Sequence, residues 1–305
     1  MTNIPVFLAS NDNFAPFVAT AMASILYNTK SFVQFYVLDS GISDDNKRRI
    51  ERLGENFSIE FIRIDISRFK DFRVLEHVSL DMYSRFLIPE LKPNLEKVIY
   101  LDVDTITFGD IAQLYNEALD EYIVGAIWEE FIETETERKV RVIKKFRLSD
   151  THKYFNSGVL LIDCKKWREN AITTKLFKIE QEYRNSLECP DQDILNIYFN
   201  NNNFKLLYKK YNYMTQNSNY YKEASPDIFI RHYNSPTKPW QCDVVLDCVD
   251  KKYFLSPIKN FDDFWFFAKK TLFYDELTAV YNRNLPDITT HLRGQAVVLN
   301  CMRKN

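Results

Sequence analysis

The first half of the chain alternates short apolar, β-branched runs with longer amphipathic stretches. This alternation is typical of βα units that build a mostly parallel sheet, so we expect an α/β domain. The apolar runs predict strands at Ile4 to Ala9, Val33 to Leu38, Ile59 to Ile64, Val98 to Leu101, Ile123 to Ile127 and Val159 to Ile162. The amphipathic stretches predict helices at Phe14 to Tyr27, Asp44 to Leu53, Met82 to Phe86, Thr173 to Asn185 and Gln192 to Asn200. Ser43 is a suitable N-cap for the second helix, and Pro89 is expected to end the third.

The alternation stops after Trp240, and the remaining sequence predicts a small helical appendage. We therefore expect one large domain over residues 1–250 and a helical C-terminal extension over residues 251–305. Within the extension, the aromatic run Phe264 to Phe267 stands beside Lys269 and Lys270. These side chains either lie on a membrane surface or pack on the main domain, and the sequence leaves both alternatives open.

Composition narrows the classes of partner. The 305 residues are 46% hydrophobic, which is enough for one sizeable core. The 40 Lys and Arg nearly balance the 42 Asp and Glu, so no overall field favours nucleic acid, and none is expected as a partner. The six glycines form neither a GxxxxGK[ST] loop nor a GxGxxG turn, so a bound nucleotide would need another kind of site.

The cellular compartment is predicted from two further features. Five cysteines, an odd number without a CxxC pair, indicate reduced thiols. The N-terminus has no basic region, its apolar run is too short for a signal peptide, and no stretch approaches the length of a spanning helix. These features predict a cytoplasmic protein.

Two short segments contain the candidate chemistry. Asp102 and Asp104 follow the predicted strand Val98 to Leu101, and alternate positions of an extended chain point the same way. Two converging carboxylates favour a divalent cation, although aspartates also form turns after strands. The second segment, RHYNSPTKPW, contains His232 and Lys238. An imidazole would complete a metal site and an ammonium would neutralise a phosphate. Taken one at a time, however, the residue types favour a hydrogen-bonded core histidine and a solvated lysine.

Six ordered blocks over roughly residues 4 to 240 resemble glycosyltransferase family 8, the retaining enzymes that include lipopolysaccharide galactosyl- and glucosyltransferases and glycogenin. The blocks are Leu8 to Phe14, Met82 to Arg85, Asp102 to Asp104, Phe155 to Val159, Pro190 to Asp193 and His232 to Trp240. The resemblance implies a glycosyltransferase A-type, Rossmann-like fold in which residues 1–250 bind a nucleotide sugar. It also implies transfer of galactose or glucose from a UDP-sugar to a glycan or lipid-linked glycan acceptor.

The resemblance further implies roles for individual residues. Asp102, Asp104 and His232 would bind Mn²⁺, with Mg²⁺ as the alternative ion, and Lys238 would contact the phosphates. Asp191 and Gln192 would lie at the anomeric carbon and, with Lys238, act in catalysis. The residues expected to line the nucleotide and sugar are Ala9, Ser10, Asn11, Asn13, Phe14, Arg85, Asp102, Val103, Asn156, Ser157, Asp191, Gln192, His232, Ser235 and Lys238.

Two positions depart from the family pattern. The family usually has Asp where this chain has Asn11, at a position that reads the uracil edge, which weakens the expectation for the base. A glycine usually stands where this chain has Ser235, so the backbone approach to phosphate is expected to be looser. The charged stretch Trp128 to Ser149 is either a lid over the acceptor or a solvated helix.

Other functions remain open from the sequence alone. The 18 tyrosines leave room for a glycogenin-like self-glucosylating enzyme. A non-catalytic nucleotide-sugar-binding module would keep the fold without turnover. A phosphotransferase or nuclease could also use paired aspartates, but the absence of a phosphate-binding glycine loop and the balanced charge argue against both.

Overall fold

The computed structural model describes residues 3–74, 80–215, 227–234, 238–241, 244–249, 252–257 and 261–282. Its strands are β1 Ile4–Ser10, β2 Val33–Asp39, β3 Phe57–Arg63, β4 Lys97–Leu101, β5 Thr105–Thr107, β6 Val124–Trp128, β7 Phe155–Asp163, β8 Lys205–Leu206, β9 Tyr213–Met214, β10 Ile230–His232, β11 Val244–Val249 and β12 Lys252–Pro257. Its α-helices are α1 Ala15–Asn28, α2 Asp44–Glu51, α3 Ile88–Leu91, α4 Ala112–Tyr115, α5 Glu130–Glu133, α6 Thr136–Phe146, α7 Cys164–Glu169, α8 Ile172–Tyr183, α9 Pro190–Tyr198 and α10 Asp262–Ala268. The 3₁₀ helices are Asp12–Phe14, Ile66–Phe69, Leu80–Leu87, Arg184–Ser186 and Lys209–Asn212.

A seven-stranded sheet forms the centre of the protein, in the order β3-β2-β1-β4-β7-β6-β8. Pairing is parallel except around β7, which runs antiparallel to both β4 and β6. The predicted mixed, mostly parallel sheet is therefore confirmed. Because β1, β2, β4 and β6 run in one direction, their carboxyl ends meet at one edge of the sheet, where open α/β sheets bind ligands.

Both faces of the sheet are covered. On β1, Val6 and Leu8 belong to the apolar cluster that contains α1, whereas Phe7 belongs to the cluster on the other face, with Tyr83 and Phe86. Alternate residues of one strand thus enter opposite cores, as the period of two requires. This two-sided burial explains why the strands read as continuous apolar runs.

A second, three-stranded sheet of β5, β10 and β9 joins distant parts of the chain. β5 begins at the residue after Asp104, and β10 pairs antiparallel with it so that His232 lies opposite Thr105. The register of this small sheet therefore brings the histidine beside the paired aspartates.

Two helical predictions need correction or refinement. The predicted helix Met82 to Phe86 is a longer 3₁₀ helix, and Pro89 does not end the helical path. Pro89 instead occupies the first turn of α3, where its missing N–H is tolerated. The charged stretch after Trp128 forms α5 and α6, and α6 has the polar exposed face of a solvated helix.

The C-terminal region combines a hairpin with a helix. β11 and β12 pair antiparallel across the predicted domain boundary at residue 250, which stays a prediction. The helical part is confirmed in α10, where Phe264 and Phe267 are buried while Phe266 is 47% exposed. Phe264 packs on Trp240, and the partly buried Trp265 packs against the same apolar cluster. The ring of Phe266 contacts Tyr27 of α1, so the aromatic run packs on the main domain.

Cys164 and Cys189 are free thiols, as predicted, whereas the side chains of Cys242, Cys248 and Cys301 lie outside the described residues. In the part of the chain that the structure describes, none of the helices combines the length and the apolarity needed to cross a bilayer.

Candidate active site

The paired aspartates lie in a tight turn at the carboxyl end of β4. The sequence predicts that they converge because both belong to an extended segment, but β4 ends at Leu101. The backbone N–H of Asp102 still bonds to Gly158 O at 2.8 Å, and the Thr105 hydroxyl donates to Asp102 O at 2.8 Å. This turn, not strand alternation, brings the two carboxylates to one side, with the half-buried Val103 between them.

His232 faces both carboxylates from the neighbouring small sheet. Its Nε2 lies 3.1 Å from Asp104 Oδ1 and 3.8 Å from Asp102 Oδ2. One ligand atom from each of the three residues falls within 4.8 Å of the others. Space for this arrangement depends on Gly158, where a Cβ atom would lie 2.3 Å from His232 Cε1 and 2.7 Å from Asp102 Oδ2.

The electrostatics of this cluster are dominated by opposite charges. Burial acts to raise the pKa of Asp104, but Lys238 and His232 outweigh it and hold the pKa well below its ordinary value. Burial likewise acts to lower the pKa of His232, but Asp104 and Asp102 raise it. Lys238 Nζ lies 2.7 Å from Asp104 Oδ2 and also donates to the carbonyl oxygen of Tyr233.

Arg85 connects the aspartate turn to α9. Its Nη2 lies 3.0 Å from Asp102 Oδ1, and its Nη1 lies 3.0 Å from Asp191 Oδ2. The guanidinium carbon stands 4.4 Å from the ring centre of Tyr100, whose hydroxyl donates to Asp102 Oδ1 at 2.8 Å. Burial opposes the charge of Arg85, but Asp102 and Asp191 outweigh it and raise its pKa. A buried, permanently charged group thus sets the distance between two carboxylates.

The first turn of α9 presents Asp191 and Gln192 to the same edge of the sheet. Asp191 Oδ2 accepts a hydrogen bond from the Ser157 hydroxyl at 2.8 Å, and Gln192 Oε1 accepts one from the Ser157 backbone N–H at 3.1 Å. Burial raises the pKa of Asp191, an effect that Arg85 reduces. The start of β7 therefore orients these two predicted catalytic side chains.

The segment after β1 closes the other side of the site. Asn11 Nδ2 donates to Asp81 Oδ2 at 2.8 Å, and Asn11 Oδ1 accepts from the Asn13 backbone N–H at 3.0 Å. Asp81 belongs to the 3₁₀ helix that also contains Arg85. Ala9 and Ser10 end β1, and the Ser10 hydroxyl bonds to the backbone oxygen of Asn11.

Contacts between tilted aromatic rings connect this segment to the RHYNSPTKPW segment. Phe14, which is 41% exposed, contacts Phe17, and the Phe17 ring centre lies 4.1 Å from that of Trp240. Trp240 is buried and belongs to the core. Ser235 lies outside the described residues, and its predicted role stays a prediction.

Glu129, Tyr100 and Asn212, which the motifs did not single out, complete the site around Asn156. Asn156 and Glu129 are buried and hydrogen-bonded to each other, and Asn212 bonds to both Asn156 and His232. Tyr100 stands two positions before Asp102, so strand periodicity could have indicated it. Asn212 has no local signal in the sequence, because its partners come from β7 and β10.

The residues suit a divalent cation. Two carboxylates and an imidazole form a mixed oxygen and nitrogen donor set, which fits Mn²⁺ at least as well as Mg²⁺. The missing side chain at Gly158 leaves room beside Asp102 and His232. We therefore identify Asp102, Asp104 and His232 as a candidate metal site.

The comparisons with known proteins agree with this geometry. The family described as Glycosyl transferase family 8 matches residues 5–243. The chain belongs to this family. A Haemophilus influenzae protein, whose name assigns it provisionally to the glycosyltransferases, is 32% identical over 250 residues, which are 77% of this chain and 72% of the relative. The lipopolysaccharide 1,2-glucosyltransferase of Escherichia coli K12 is 28% identical over 264 residues, 81% of this chain and 75% of that enzyme.

A solved family member has the same fold. The galactosyltransferase LgtC, in complex with donor and acceptor sugar analogues, superposes with a TM-score of 0.75 at 27% identity, over 88% of this chain and 96% of LgtC. A structure of LgtC with an active-site glutamine changed to glutamate gives a TM-score of 0.75 at 26% identity. The family 8 chain described here therefore has the glycosyltransferase A-type fold and is a glycosyltransferase.

Proposed function

We propose that this chain is a retaining hexosyltransferase that moves galactose or glucose from a UDP-sugar to a glycan or lipid-linked glycan acceptor. The proposed setting is the assembly of lipopolysaccharide or another cell-surface glycan. The E. coli relative is named as a lipopolysaccharide glucosyltransferase, and LgtC is a galactosyltransferase bound to donor and acceptor analogues. Both hexoses therefore remain candidates for the donor.

The observation that carries the proposal is the convergence of Asp102, Asp104, His232 and Lys238 at the carboxyl edge of the sheet. The first three would hold Mn²⁺, which would neutralise negative charge on the leaving diphosphate. Lys238, 2.7 Å from Asp104, supplies a second positive charge beside this position. Such preorganised charge lowers the barrier most when the leaving oxygen becomes negative.

The transfer step follows from the groups near the proposed sugar position. The bond between the anomeric carbon and the diphosphate oxygen breaks, and a bond from the acceptor hydroxyl oxygen to the same carbon forms on the same face. The acceptor proton passes to the departing phosphate oxygen. Gln192 would steady the oxocarbenium-like carbon from the opposite face. Asp191 is paired with Arg85 at 3.0 Å, which favours an electrostatic role over nucleophilic attack.

The Asn11 and Asp81 pair supports uridine as the base. The family usually has a carboxylate at position 11, and here the Asp81 carboxylate lies 2.8 Å from the amide nitrogen of Asn11. A carboxylate is thus retained beside the predicted base-reading segment, although it comes from a different element. Nucleotide affinities of the parent with UDP, CDP and GDP would test the base.

Metal-dependent turnover tests the proposal directly. The parent should hydrolyse or transfer sugar from UDP-galactose or UDP-glucose only with Mn²⁺ or Mg²⁺ present, and Asp104→Ala should lose turnover by more than about a hundredfold. Asp45→Ala is the matched control, since Asp45 pairs with Arg48 on the exposed surface of α2. A parent that turns over no UDP-sugar with either ion would refute the proposal.

We also propose a cytoplasmic location with peripheral contact at the inner membrane face. Phe266 is 47% exposed and stands near the ammonium of Lys270, 4.4 Å from its ring centre. An exposed aromatic beside a cation suits an anionic lipid surface. Flotation with anionic vesicles, compared between the parent and Phe266→Ser, would measure this contact, and equal recovery would exclude it.

A further inference from the structure

A chain of buried hydrogen bonds leads from His232 into the protein interior. His232 Nδ1 lies 3.0 Å from Asn212 Oδ1, and Asn212 Nδ2 lies 2.9 Å from Asn156 Oδ1. Asn156 Nδ2 in turn lies 2.8 Å from Glu129 Oε2. All four residues are at most 5% exposed. We refer to Asn212, Asn156 and Glu129 as the relay.

The direction of every bond in the relay follows from one unambiguous donor. The backbone N–H of Gly158 points at Asn156 Oδ1 at 2.9 Å, and a backbone N–H can only donate. Asn156 must therefore present its oxygen to Gly158 and its amide nitrogen to the carboxylate of Glu129. Because Asn156 offers an acceptor to Asn212, Asn212 must donate through Nδ2.

This orientation leaves Asn212 with only its oxygen for His232. An oxygen facing Nδ1 requires a proton on Nδ1, since two lone pairs would otherwise oppose each other. The other ring nitrogen, Nε2, then points its lone pair toward Asp104 and Asp102 once its own proton is lost. That is the tautomer in which imidazole binds a metal through Nε2.

We propose that Asn212, oriented by Asn156 and Glu129, is a positioning residue that keeps the proton on His232 Nδ1 and so prepares Nε2 as a metal ligand. This inference rests on the proposed metal-dependent function. It assigns a role to three residues that contribute no ligand atom to the candidate cluster. It also gives Asn156 a task that is separate from its predicted contact with the sugar.

Two substitutions of similar size test the proposal at Asn212. Asn212→Leu removes the acceptor at Nδ1, and we expect the Mn²⁺ affinity in the presence of UDP to fall by about 10- to 100-fold. Asn212→Asp keeps an acceptor at Nδ1, and we expect it to retain or tighten Mn²⁺ binding while lowering the melting temperature. Calorimetry or the electron paramagnetic resonance signal of free Mn²⁺ measures the affinity.

The opposite ranking would overturn the proposal. If Asn212 only fills space and bonds to Asn156, the buried charge of Asn212→Asp should harm the site at least as much as Asn212→Leu. Parent-like Mn²⁺ affinity in a folded Asn212→Leu protein would also refute it. Asn28→Leu is the matched control, because Asn28 bonds to backbone oxygens of Ser24 and Thr107 at the far end of α1; it should lower stability without changing Mn²⁺ affinity.

A second measurement needs neither a variant nor a metal. The chain has four histidines, so nitrogen-15 spectra of the histidine-labelled, metal-free protein can be assigned readily. We expect His232 to keep its proton on Nδ1 when the ring is neutral, and a neutral ring with its proton on Nε2 would refute the relay even if Asn212→Leu fails to fold. If the parent binds no Mn²⁺ with UDP, the proposed function fails, while these spectra still decide the orientation of the relay.

Discussion

Two buried histidines of this protein each bond to an asparagine, but their pKa values are shifted in opposite directions. His232 and His152 are 3% and 1% exposed, and each ring bonds to an asparagine oxygen, at 3.0 Å from Asn212 and 3.1 Å from Asn196. Burial lowers the pKa of His152, whereas Asp104 and Asp102 raise the pKa of His232 against the effect of burial.

The difference lies in what the second ring nitrogen faces. His152 Nδ1 accepts a hydrogen bond from the backbone N–H of Asn202 at 3.3 Å. Both nitrogens of the neutral His152 ring therefore have hydrogen-bond partners within the protein. His232 Nε2 instead faces two carboxylates, an arrangement that favours a positive charge. A proton or a metal cation can supply that charge, which is why one histidine belongs to a candidate site and the other to the core.

The largest expected effect comes from exchanging each histidine for glutamine. His232→Gln should lower Mn²⁺-dependent turnover by more than about a hundredfold, because it removes a nitrogen ligand. His152→Gln should leave turnover near the parent value and cost about 1–3 kcal/mol of unfolding free energy, because it disturbs buried hydrogen bonds. Steady-state kinetics and urea unfolding measure the two quantities. Equal losses of turnover in both variants would contradict the assignment of His232 to the metal site and of His152 to the core.

A smaller effect is expected from filling the space beside His232. The Cβ of Gly158→Ala would meet the imidazole at 2.3 Å, so the ring must move away from Asp102. We expect Mn²⁺ affinity with UDP to fall by about 10- to 100-fold, as for other changes that misplace a ligand. Gly54→Ala is the matched control, since its Cβ would meet nothing within 4 Å. Unchanged affinity in Gly158→Ala would show that the ring does not need its present position.

The smallest effect is the pH dependence of stability that His152 contributes. Its pKa in the folded state is lowered by burial, with small opposing effects of Asn196 and Glu133 and a further lowering by Lys139. The unfolded chain therefore binds the proton more tightly, and the protein loses stability as the pH falls below the ordinary histidine pKa of about 6.5. His152→Gln has no imidazole at this position and does not lose stability in this way. The difference in unfolding free energy between parent and variant, measured by urea unfolding, should therefore be smaller at acid pH than at neutral pH. A constant gap would contradict it.

The main elements of the fold could be predicted because each strand carries its own signal. β1, β2 and β4 are uninterrupted apolar runs, and burial on both faces is the physical reason for that pattern. The short strands β5, β9 and β10 were not predicted. They contain two or three residues each and exist because they pair with one another, so no local periodicity marks them.

The candidate site likewise contains some residues that the sequence could predict and others that it could not. Asp102 and Asp104 could be paired from spacing, and the ordered motifs added His232, Lys238, Arg85, Asp191 and Gln192 through the family resemblance. Asn212, Tyr100 and Glu129 were missed. Asn212 and Glu129 each bond to a residue that another element brings close, and neither residue type nor spacing records that proximity. Tyr100 differs, because its spacing from Asp102 could have indicated it.

The sequence by itself determined which of the longer stretches are strands and helices, where two carboxylates stand close along the chain, and which family the motifs resemble. These properties depend on neighbouring residues and on side-chain period. Only the tertiary structure decided which buried histidine faces the aspartates, why Gly158 must lack a side chain and how Asn212 is oriented. Those properties depend on the order and register of strands that are distant in the chain, since electrostatic and hydrogen-bonding interactions act over a few ångströms of space and take no account of sequence separation.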